Sequence, residues 1–467
     1  VQSRRDQLQA YKFLTRRALA ALVAGEPDVP EAPMRRISLT TVTGVMVAVL
    51  VIAGFAVFGL IRPGNNVKIT SGTVYIERET GTSFVLLGDG LLHPALNFTS
   101  AALAVGQNGK VSVKTVSSGA LAHKPHGPAV GIPDAPQSVP RSTSNIVSTP
   151  WTVCSQAKPQ DRGNDQAKVT VAIGSEAGST PLPAADGVVV STPSNTSLPY
   201  LLWNGKRLSF QSQSIVNALG LQAGNPLVVG SSLLNALPEG PSLATPIIPD
   251  AGQPGPPVGG ARTLVGQLVQ ADDGSYRAVL RDGLTERLRP LSVDLMRTLA
   301  IGGRTRDPIR ATLTSVLQAP PTHNSDELLR QLNGLPSDVP AIPDAPSQAG
   351  GICAIYKPGV PMTLSVPQGT APSDQGPVGE SDQSKHGIAD EVDVPPTKAA
   401  IAVADNGAAA RYVIVAPGKK YAANDKAISS LGYDSVTPAS VPAQLLLLIP
   451  SGHALDPDAA RRTPSGS

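Results

Sequence analysis

Two cysteines, 3% aromatic residues and 16% charged residues are little for a chain of 467 residues. So few cysteines exclude a multi-disulfide mini-domain, an iron–sulfur cluster and a Cys-rich zinc site. Lysine and arginine (38) outnumber aspartate and glutamate (35) by only three. No basic field suits a phosphate polymer, and a nucleic-acid partner is disfavoured. Glycine and proline, 45 of each, are too many for a helical bundle, while 41% apolar residues are too many for a wholly disordered chain. The length predicts two to four domains of ~100–200 residues.

What the chain does have is one long apolar run. Residues 37–61 hold 25 positions without a charge. As a helix they reach about 37 Å, enough for a hydrocarbon layer of ~30 Å with some tilt. The 36 residues before the run are too many for the start of a signal peptide. Arg4, Arg5, Lys12, Arg16, Arg17, Arg35 and Arg36 precede it, whereas only Arg62 and Lys68 follow before the first acidic residue. The positive-inside rule therefore predicts a single-pass cell-membrane protein with a cytoplasmic N-terminus and an extracytoplasmic bulk. Leu445–Ile449 is too short to span and is expected to be a buried strand. Within the N-terminal piece, Leu8, Tyr11, Leu14, Ala18 and Leu22 recur at helical spacing, with Arg16 and Arg17 off that stripe. This helix is expected to dock on the membrane surface or on a partner through Tyr11, Phe13, Leu14, Arg16 and Arg17.

Beyond the membrane a pattern repeats four times: an aromatic-led strand, a glycine turn, a short strand, then a helical stretch. The copies begin at Phe84, Tyr200, Tyr276 and Tyr412, with turn glycines Gly90, Gly205, Gly283 and Gly418. Asp-Gly or Asn-Gly at three of these turns suits a two-residue hairpin whose central residues take positive φ. Asn97, Ser212, Ser292 and Asn424 are expected to cap the helices, and Gly106, Gly220, Gly302 and Gly432 to close them. Three exits share Ile-Pro-Asp-Ala, at Ile132–Ala135, Ile248–Ala251 and Ile342–Ala345. Their aspartates Asp134, Asp250 and Asp344 read as turn formers.

The predicted modules span 67–136, 186–251, 262–346 and 398–458, with a tail at 459–467. Two β-rich pieces, within 150–185 and 347–397, carry Cys154 and Cys353 and are expected to meet in a central sheet, with two modules to each side in chain order. The cysteines then either pair, as an oxidising compartment permits, or stay as two buried thiols. The Pro/Ser/Gly-rich stretches 137–149, 253–261 and 367–397 read as surface linkers. The fold class is α+β.

Local motifs reveal no catalytic, cofactor or metal residues. The nearest approach to a phosphate loop, Gly106 to Ser112, lacks the Lys-Ser/Thr step, and a second Gly-Lys at Gly418 sits in a hairpin turn. There is no GxSxG and no HExxH. The six histidines are scattered, and His123 and His126 lack an obvious third ligand.

These residues resemble the EccB family of type VII (ESX) secretion systems over nearly the whole chain. The resemblance rests on Gln9-AYKFLTRR, the span after it, Leu92-HPALNFTSAAL, Gly131-IPDAP, Trp151-TVC, Ala236-LPEGP and Leu445-LLLIPSG. It implies an elongated extracytoplasmic region of four repeat modules around a central β domain with one disulfide. It also implies a structural subunit that assembles with itself, the EccC ATPase, EccD, EccE and a mycosin protease. The repeats are similar to cell-wall-binding folds of phage lysins, which implies peptidoglycan contact. Family members are commonly labelled ATPases, so ATP is the one cofactor that the resemblance brings in.

Overall fold

The computed structural model describes residues 3–25, 33–61, 67–106, 111–157, 167–176, 178–221, 226–368 and 387–464. The chain divides into two compact units, 1–70 with 75–81 and 114–125, and 71–74 with 82–113 and 126–467.

The first unit contains helices α1 (Arg4–Ala24) and α2 (Pro33–Ile61). Helix α1 starts at Ser3, whose backbone N–H donates to Asp6, and stops at Gly25, which turns left-handed at φ 75°. Among the described residues one helix is long and apolar enough to cross a membrane: Ser38–Phe58 of α2, with a mean hydropathy of 2.5 and none of its most apolar window buried. An apolar helix exposed all round is not stable in water and needs a covering of lipid or protein. The unit also contains buried Tyr75, whose hydroxyl accepts the Thr70 N–H at 2.8 Å.

Four stretches of the chain run strand, strand, strand, helix, strand, helix. The first comprises β1 (Thr73–Glu77), β2 (Ser83–Leu86), β3 (Leu92–Ala95), α3 (Phe98–Val105), β4 (Ser112–Val116) and α4 (Ser118–Leu121). After it come β5 (Ile146–Val147), β6 (Trp151–Ala157), β7 (Ala167–Ile173) and β8 (Ser179–Pro181). The second comprises β9 (Gly187–Thr192), β10 (Asn195–Trp203), β11 (Lys206–Ser209), α5 (Gln213–Ala218), β12 (Leu227–Val228) and α6 (Ser231–Ala236). The third has β13 (Leu268–Ala271), β14 (Tyr276–Ala278), α7 (Pro290–Arg297), β15 (Ile309–Ala311) and α8 (Leu313–Gln318), its third strand reduced to the bridge Val279↔Leu284. Helices α9 (Asp326–Leu332) and α10 (Ala345–Ala349) lead into β16 (Gly351–Tyr356), β17 (Thr363–Pro367) and β18 (Glu391–Asp393). The fourth comprises β19 (Ala399–Ala404), β20 (Arg411–Val415), β21 (Lys419–Ala423), α11 (Asp425–Leu431), β22 (Ala439–Val441) and α12 (Ala443–Leu447), followed by α13 (Pro457–Ala460).

The sheets of the second and fourth stretches have the same order, β11-β10-β9-β12 and β21-β20-β19-β22; the third has β14-β13-β15. In each, the first two strands form an antiparallel hairpin and the strand after the helix returns parallel to the first strand. A helical crossover is what a parallel return requires.

The six-stranded central sheet runs β18-β7-β6-β16-β17-β8. It joins pieces almost two hundred residues apart because β6 and β16 pair antiparallel from Trp151↔Tyr356 to Gln156↔Gly351. Strand β18 lies inside 367–397, read above as linker: Ala389, Val392 and Val394 are buried, and Asp390 accepts the Val169 N–H at 2.7 Å. Residues 369–386 of that stretch lie outside the described ones. Nor is 253–261 merely surface, since Val258 is buried against Val279 and Val316.

Two more expectations about the fold need correction. Leu445–Ile449 is not a strand. Pro442 starts helix α12, Leu445, Leu446, Leu448 and Ile449 face inward, and Leu447 is 68% exposed. A short leucine run carries no period that separates helix from strand. The modules also do not group in chain order. One core joins Leu201, Phe210, Ile215 and Val216 of the second stretch with Leu291, Leu295 and Met296 of the third, and α5 packs on α7. Another joins Ala102 and Leu103 of α3 with Val413, Tyr421 and Ile428 of the fourth, and α3 packs on α11 and α13. The pairing is nested: the second and third stretches are consecutive between β8 and β16, and the first and fourth lie outside them.

Candidate functional site

Candidate functional residues fall into three groups: the exposed N-terminal helix, the glycine turns and the seams between modules. On α1, Tyr11, Phe13 and Leu14 are 71%, 59% and 65% exposed, and Arg16 and Arg17 are exposed too. Successive α-helical residues turn by about 100°, so Leu8, Tyr11, Leu14 and Leu22 share one face while Phe13 lies far round from it. Phe13 stacks instead under the Arg17 guanidinium, 5.8 Å from the ring centroid. The helix thus offers an apolar stripe and, separately, a cation–aromatic pair.

The turn glycines do different jobs. At the second hairpin Asn204 and Gly205 both take positive φ, 47° and 68°, and a Cβ on Gly205 would sit 2.0 Å from the Met362 carbonyl oxygen. Gly418, φ 89°, likewise abuts Val392, where a Cβ would lie 2.5 Å from its carbonyl oxygen. These two hairpins press backbone to backbone on the central domain, which only glycine permits. Gly90 has positive φ but open space around it. Gly283 departs from the expected hairpin geometry: it has no positive φ, and its lack of a side chain instead admits the carbonyl of Pro320.

Capping departs too. Asn97 and Asn424 accept the N–H groups of Ser100 and Ala427, but Ser212 makes no such bond and Ser292 lies inside α7, which starts at Pro290. Gly106 closes α3 in extended conformation, and a Cβ there would run into the Ser430 carbonyl of α11. Gly432 does close α11 left-handed, at φ 82°.

Cys154 and Cys353 are direct register partners in the central sheet and are joined by a disulfide. Both are buried, beside fully buried Trp151 and Ile352.

The Ile-Pro-Asp-Ala phrases lie at the module seams. In the first two, the Ala N–H donates back to the Ile carbonyl at 3.3 Å, and Asp134 and Asp250 take φ of 58° and 60°. This is a type II turn, with proline setting its first corner and aspartate tolerating the left-handed second. Asp134 then meets Lys419 at 2.8 Å, and Asp250 meets Arg281 at 2.7 Å. Each aspartate thereby reaches the hairpin turn of the module paired with its own. The third copy differs: Asp344 enters α10 in right-handed conformation.

Of the Gly-Lys pairs, Gln107–Lys110 lie outside the described residues. At Gly418 both following ammonium groups are engaged within the fold, Lys419 by Asp134 and Lys420 by the Leu446 carbonyl under the Tyr412 ring. Burial lowers the Lys420 pKa, and burial with Asp134 nearby pushes the Tyr421 phenol up to about 12. His93, nearly buried, places Nδ1 2.8 Å from the Pro128 carbonyl and Nε2 2.9 Å from the Asp89 carboxylate. No cluster of three or more His, Cys, Asp or Glu that could hold a metal occurs among the described residues.

Sequence reasoning missed the module seams and the parallel return strands. The Pro-Asp corner was visible in the sequence, but its cationic partner, 285 positions away for Asp134, was not.

Residues 2–465 match the family described as type VII secretion system ESX-1, transport TM domain B. The ESX-3 secretion system ATPase EccB3 of Mycobacterium tuberculosis is 33% identical over 347 residues, covering 70% of this chain and 60% of that protein. The ESX-1 secretion system ATPase EccB1 of the same organism is 28% identical, covering 68% of this chain and 62% of that protein. The chain thus spans less than two thirds of these relatives. Among solved structures, the EccB3 dimer from the ESX-3 core complex is 25% identical, with a TM-score of 0.65, covering 84% of this chain and 100% of that one. A chain of an intact ESX-5 inner membrane complex is 24% identical and shares the fold, with a TM-score of 0.66, covering 100% of this chain and 96% of that one.

Proposed function

The chain belongs to the EccB family of type VII secretion systems, and on that premise we propose that it is a structural subunit of a type VII secretion membrane complex. Helix α2 anchors it as a single span, with α1 in the cytoplasm where the arginines before the span hold it. The remainder stands beyond the membrane as four copies of one repeat around a disulfide-linked sheet. The observation that carries the reading is the continuity of the cores. Paired modules share apolar interiors, and two hairpins lock to the central domain through Gly205 and Gly418. Such construction suits a rigid spacer better than a moving enzyme.

The repeat itself is supported by the shared strand order and the parallel return strand. Its partners are the other subunits, the EccC ATPase, EccD, EccE and the mycosin protease, a second copy of this chain, membrane lipid and peptidoglycan. Solved assemblies of similar chains, a dimer and an inner membrane complex, favour self-association and partner subunits.

Because relatives carry the name ATPase, ATP turnover by the full chain in detergent is the deciding measurement. We expect none above a heat-treated control, together with co-purification of the other membrane subunits. Turnover abolished by a single substitution would overturn the structural reading. The topology has its own test: alkaline phosphatase fused after Ser467 should be active, and a cytosol-only reporter signal there would reverse it.

A further inference from the structure

A buried histidine of the first module has a hydrogen-bond acceptor against each ring nitrogen. His93 lies on β3, opposite Val85 of β2, and is 4% exposed. Its Nδ1 stands 2.8 Å from the Pro128 carbonyl oxygen and its Nε2 2.9 Å from Oδ2 of Asp89. A carbonyl only accepts, so Nδ1 carries a proton in this arrangement. Asp89 also accepts the Leu91 N–H at 3.0 Å, and that bond, followed by the one to His93, keeps its carboxyl below the usual range. A carboxylate likewise only accepts. Both ring contacts are therefore hydrogen bonds together only in the imidazolium. Either neutral tautomer turns a lone pair toward an oxygen, and turning the ring over sets carbons against both.

What the ring holds is a strap. Residues 126–130 run parallel to β3 through the bridges Leu92↔His126 and Ala95↔Val130. The Gly127 N–H donates to the Leu92 carbonyl at 3.1 Å, and the Val130 N–H to that of Pro94 at 2.9 Å. Gly127 rests directly on the imidazole, where a Cβ would lie 2.3 Å from the ring Cε1. The strap runs into the Pro-Asp corner whose Asp134 clasps Lys419, and the Gly131 N–H donates to the Arg462 carbonyl, just after α13, at 3.1 Å. His93 is thus tied through a few residues to the seam between the first and fourth modules.

We propose that His93 is a proton-dependent latch: as an imidazolium it ties the strap to β3 and the Asp89 turn, and on losing a proton it gives up one of the two and loosens that seam. The neutral Nδ1–H ring loses Asp89; the neutral Nε2–H ring loses Pro128. Because the fully bonded form is the protonated one, the latch is shut on the acid side and loosens as pH rises through the His93 titration. Apart from His93 itself, β2, β3, α3, the turn 87–91 and the strap carry two titratable side chains, Asp89 and His126. His126 is exposed and stands edge-on to Phe84, with 6.0 Å between ring centroids. On the topology proposed above, the latch faces the medium outside the membrane and responds to its pH; the latch itself belongs to the first module and does not depend on that topology.

The test is amide hydrogen exchange of the full chain in detergent, read by mass spectrometry on peptides covering 126–131 and corrected for the intrinsic pH dependence of exchange. Between about pH 5 and about pH 8 the protection of the strap should fall at least about fivefold, while peptides of β6 stay unchanged. His93→Gln should remove this dependence, and His126→Gln should retain it. Asp89→Asn gives the sharpest outcome. Its amide can donate to Nε2 of a neutral ring while its oxygen still accepts the Leu91 N–H, so both contacts persist without the extra proton and the fall should vanish. Asp89 is half-exposed, so this variant carries the test even if a melting curve shows that His93→Gln does not fold. Equal strap protection at the two pH values in the unaltered chain overturns the latch. So does an undiminished fall in Asp89→Asn, or a fall abolished by His126→Gln, which would assign it to the exposed ring instead.

Discussion

Breaking the Cys154–Cys353 bridge should destabilise the fold by several kcal/mol while leaving its packed core in place. The disulfide closes a loop with a sequence separation of 199 residues, which contains the second and third modules entire. Treating its effect as lost freedom of the unfolded chain, a loop of that size corresponds to about 5 kcal/mol. Both sulfurs are buried, so Cys154→Ala/Cys353→Ala leaves no polar orphan and adds only a small cavity term. The sheet itself should persist, because β6 and β16 remain paired along six register positions. Trp151 is the natural reporter: it is fully buried on β6, its indole N–H donates to the Ser148 carbonyl at 2.9 Å, and the chain has only one other tryptophan. Guanidinium unfolding of the full chain in detergent, followed by tryptophan emission, should show the transition moved to markedly lower denaturant. Reductant added to the native protein should do nothing until unfolding exposes the bridge. A shift equivalent to less than about 1 kcal/mol would refute the loop-closure argument, and would mean that the unfolded chain keeps the two central pieces together.

Other perturbations separate the roles assigned to individual groups. Gly205→Ala should destabilise by about 3 kcal/mol, since its Cβ meets the Met362 carbonyl at 2.0 Å on a left-handed backbone, whereas Gly90→Ala carries only the backbone penalty of about 1 kcal/mol; equal losses in denaturant titrations would deny that the second hairpin is wedged on the central domain. The Asp89 carboxyl is held below its usual range by the Leu91 N–H and His93, and that of Asp282 by the Thr322 hydroxyl and the His323 N–H. With folded values below the unfolded one of about 3.9, their contribution is complete above that pH and is lost as pH falls through the folded values. The melting temperature should therefore drop from about pH 5 to about pH 3, and less steeply in Asp89→Asn/Asp282→Asn. Val49→Arg places a charge at mid-span and should disfavour insertion by about 2.5–3.5 kcal/mol; an unchanged membrane fraction after alkaline extraction would contradict α2 as a lipid-facing helix. The clasp between Asp134 and Lys419, 47% and 29% exposed, should show a coupling below about 1 kcal/mol in a double-mutant cycle.

Composition and short-range order were enough to locate the membrane helix and the hairpins. An unbroken apolar run has one favourable solvent, and Asn204-Gly205 has few alternatives to a tight turn. Register was beyond reach, since β16 could have met several apolar strands, and only the whole sheet aligns Cys353 with Cys154. Helix ends were partly hidden for the same reason. Gly106 looked like a left-handed stop, but it is extended, and it is a carbonyl from α11, more than three hundred residues later, that leaves room there for no side chain.

What the amino-acid order determined alone is therefore local: the span, the turns, the Pro-Asp corners and the strand-forming segments, each fixed by the conformational limits of a few neighbouring residues. What only tertiary structure decided is which module shares a core with which. Ala102 finds Ile428, and Ile215 finds Leu291, because amphipathic helices bury their apolar faces against whichever complementary face the folded chain brings near. The hydrophobic effect that drives this has no direction, so no pattern within one module could name its mate.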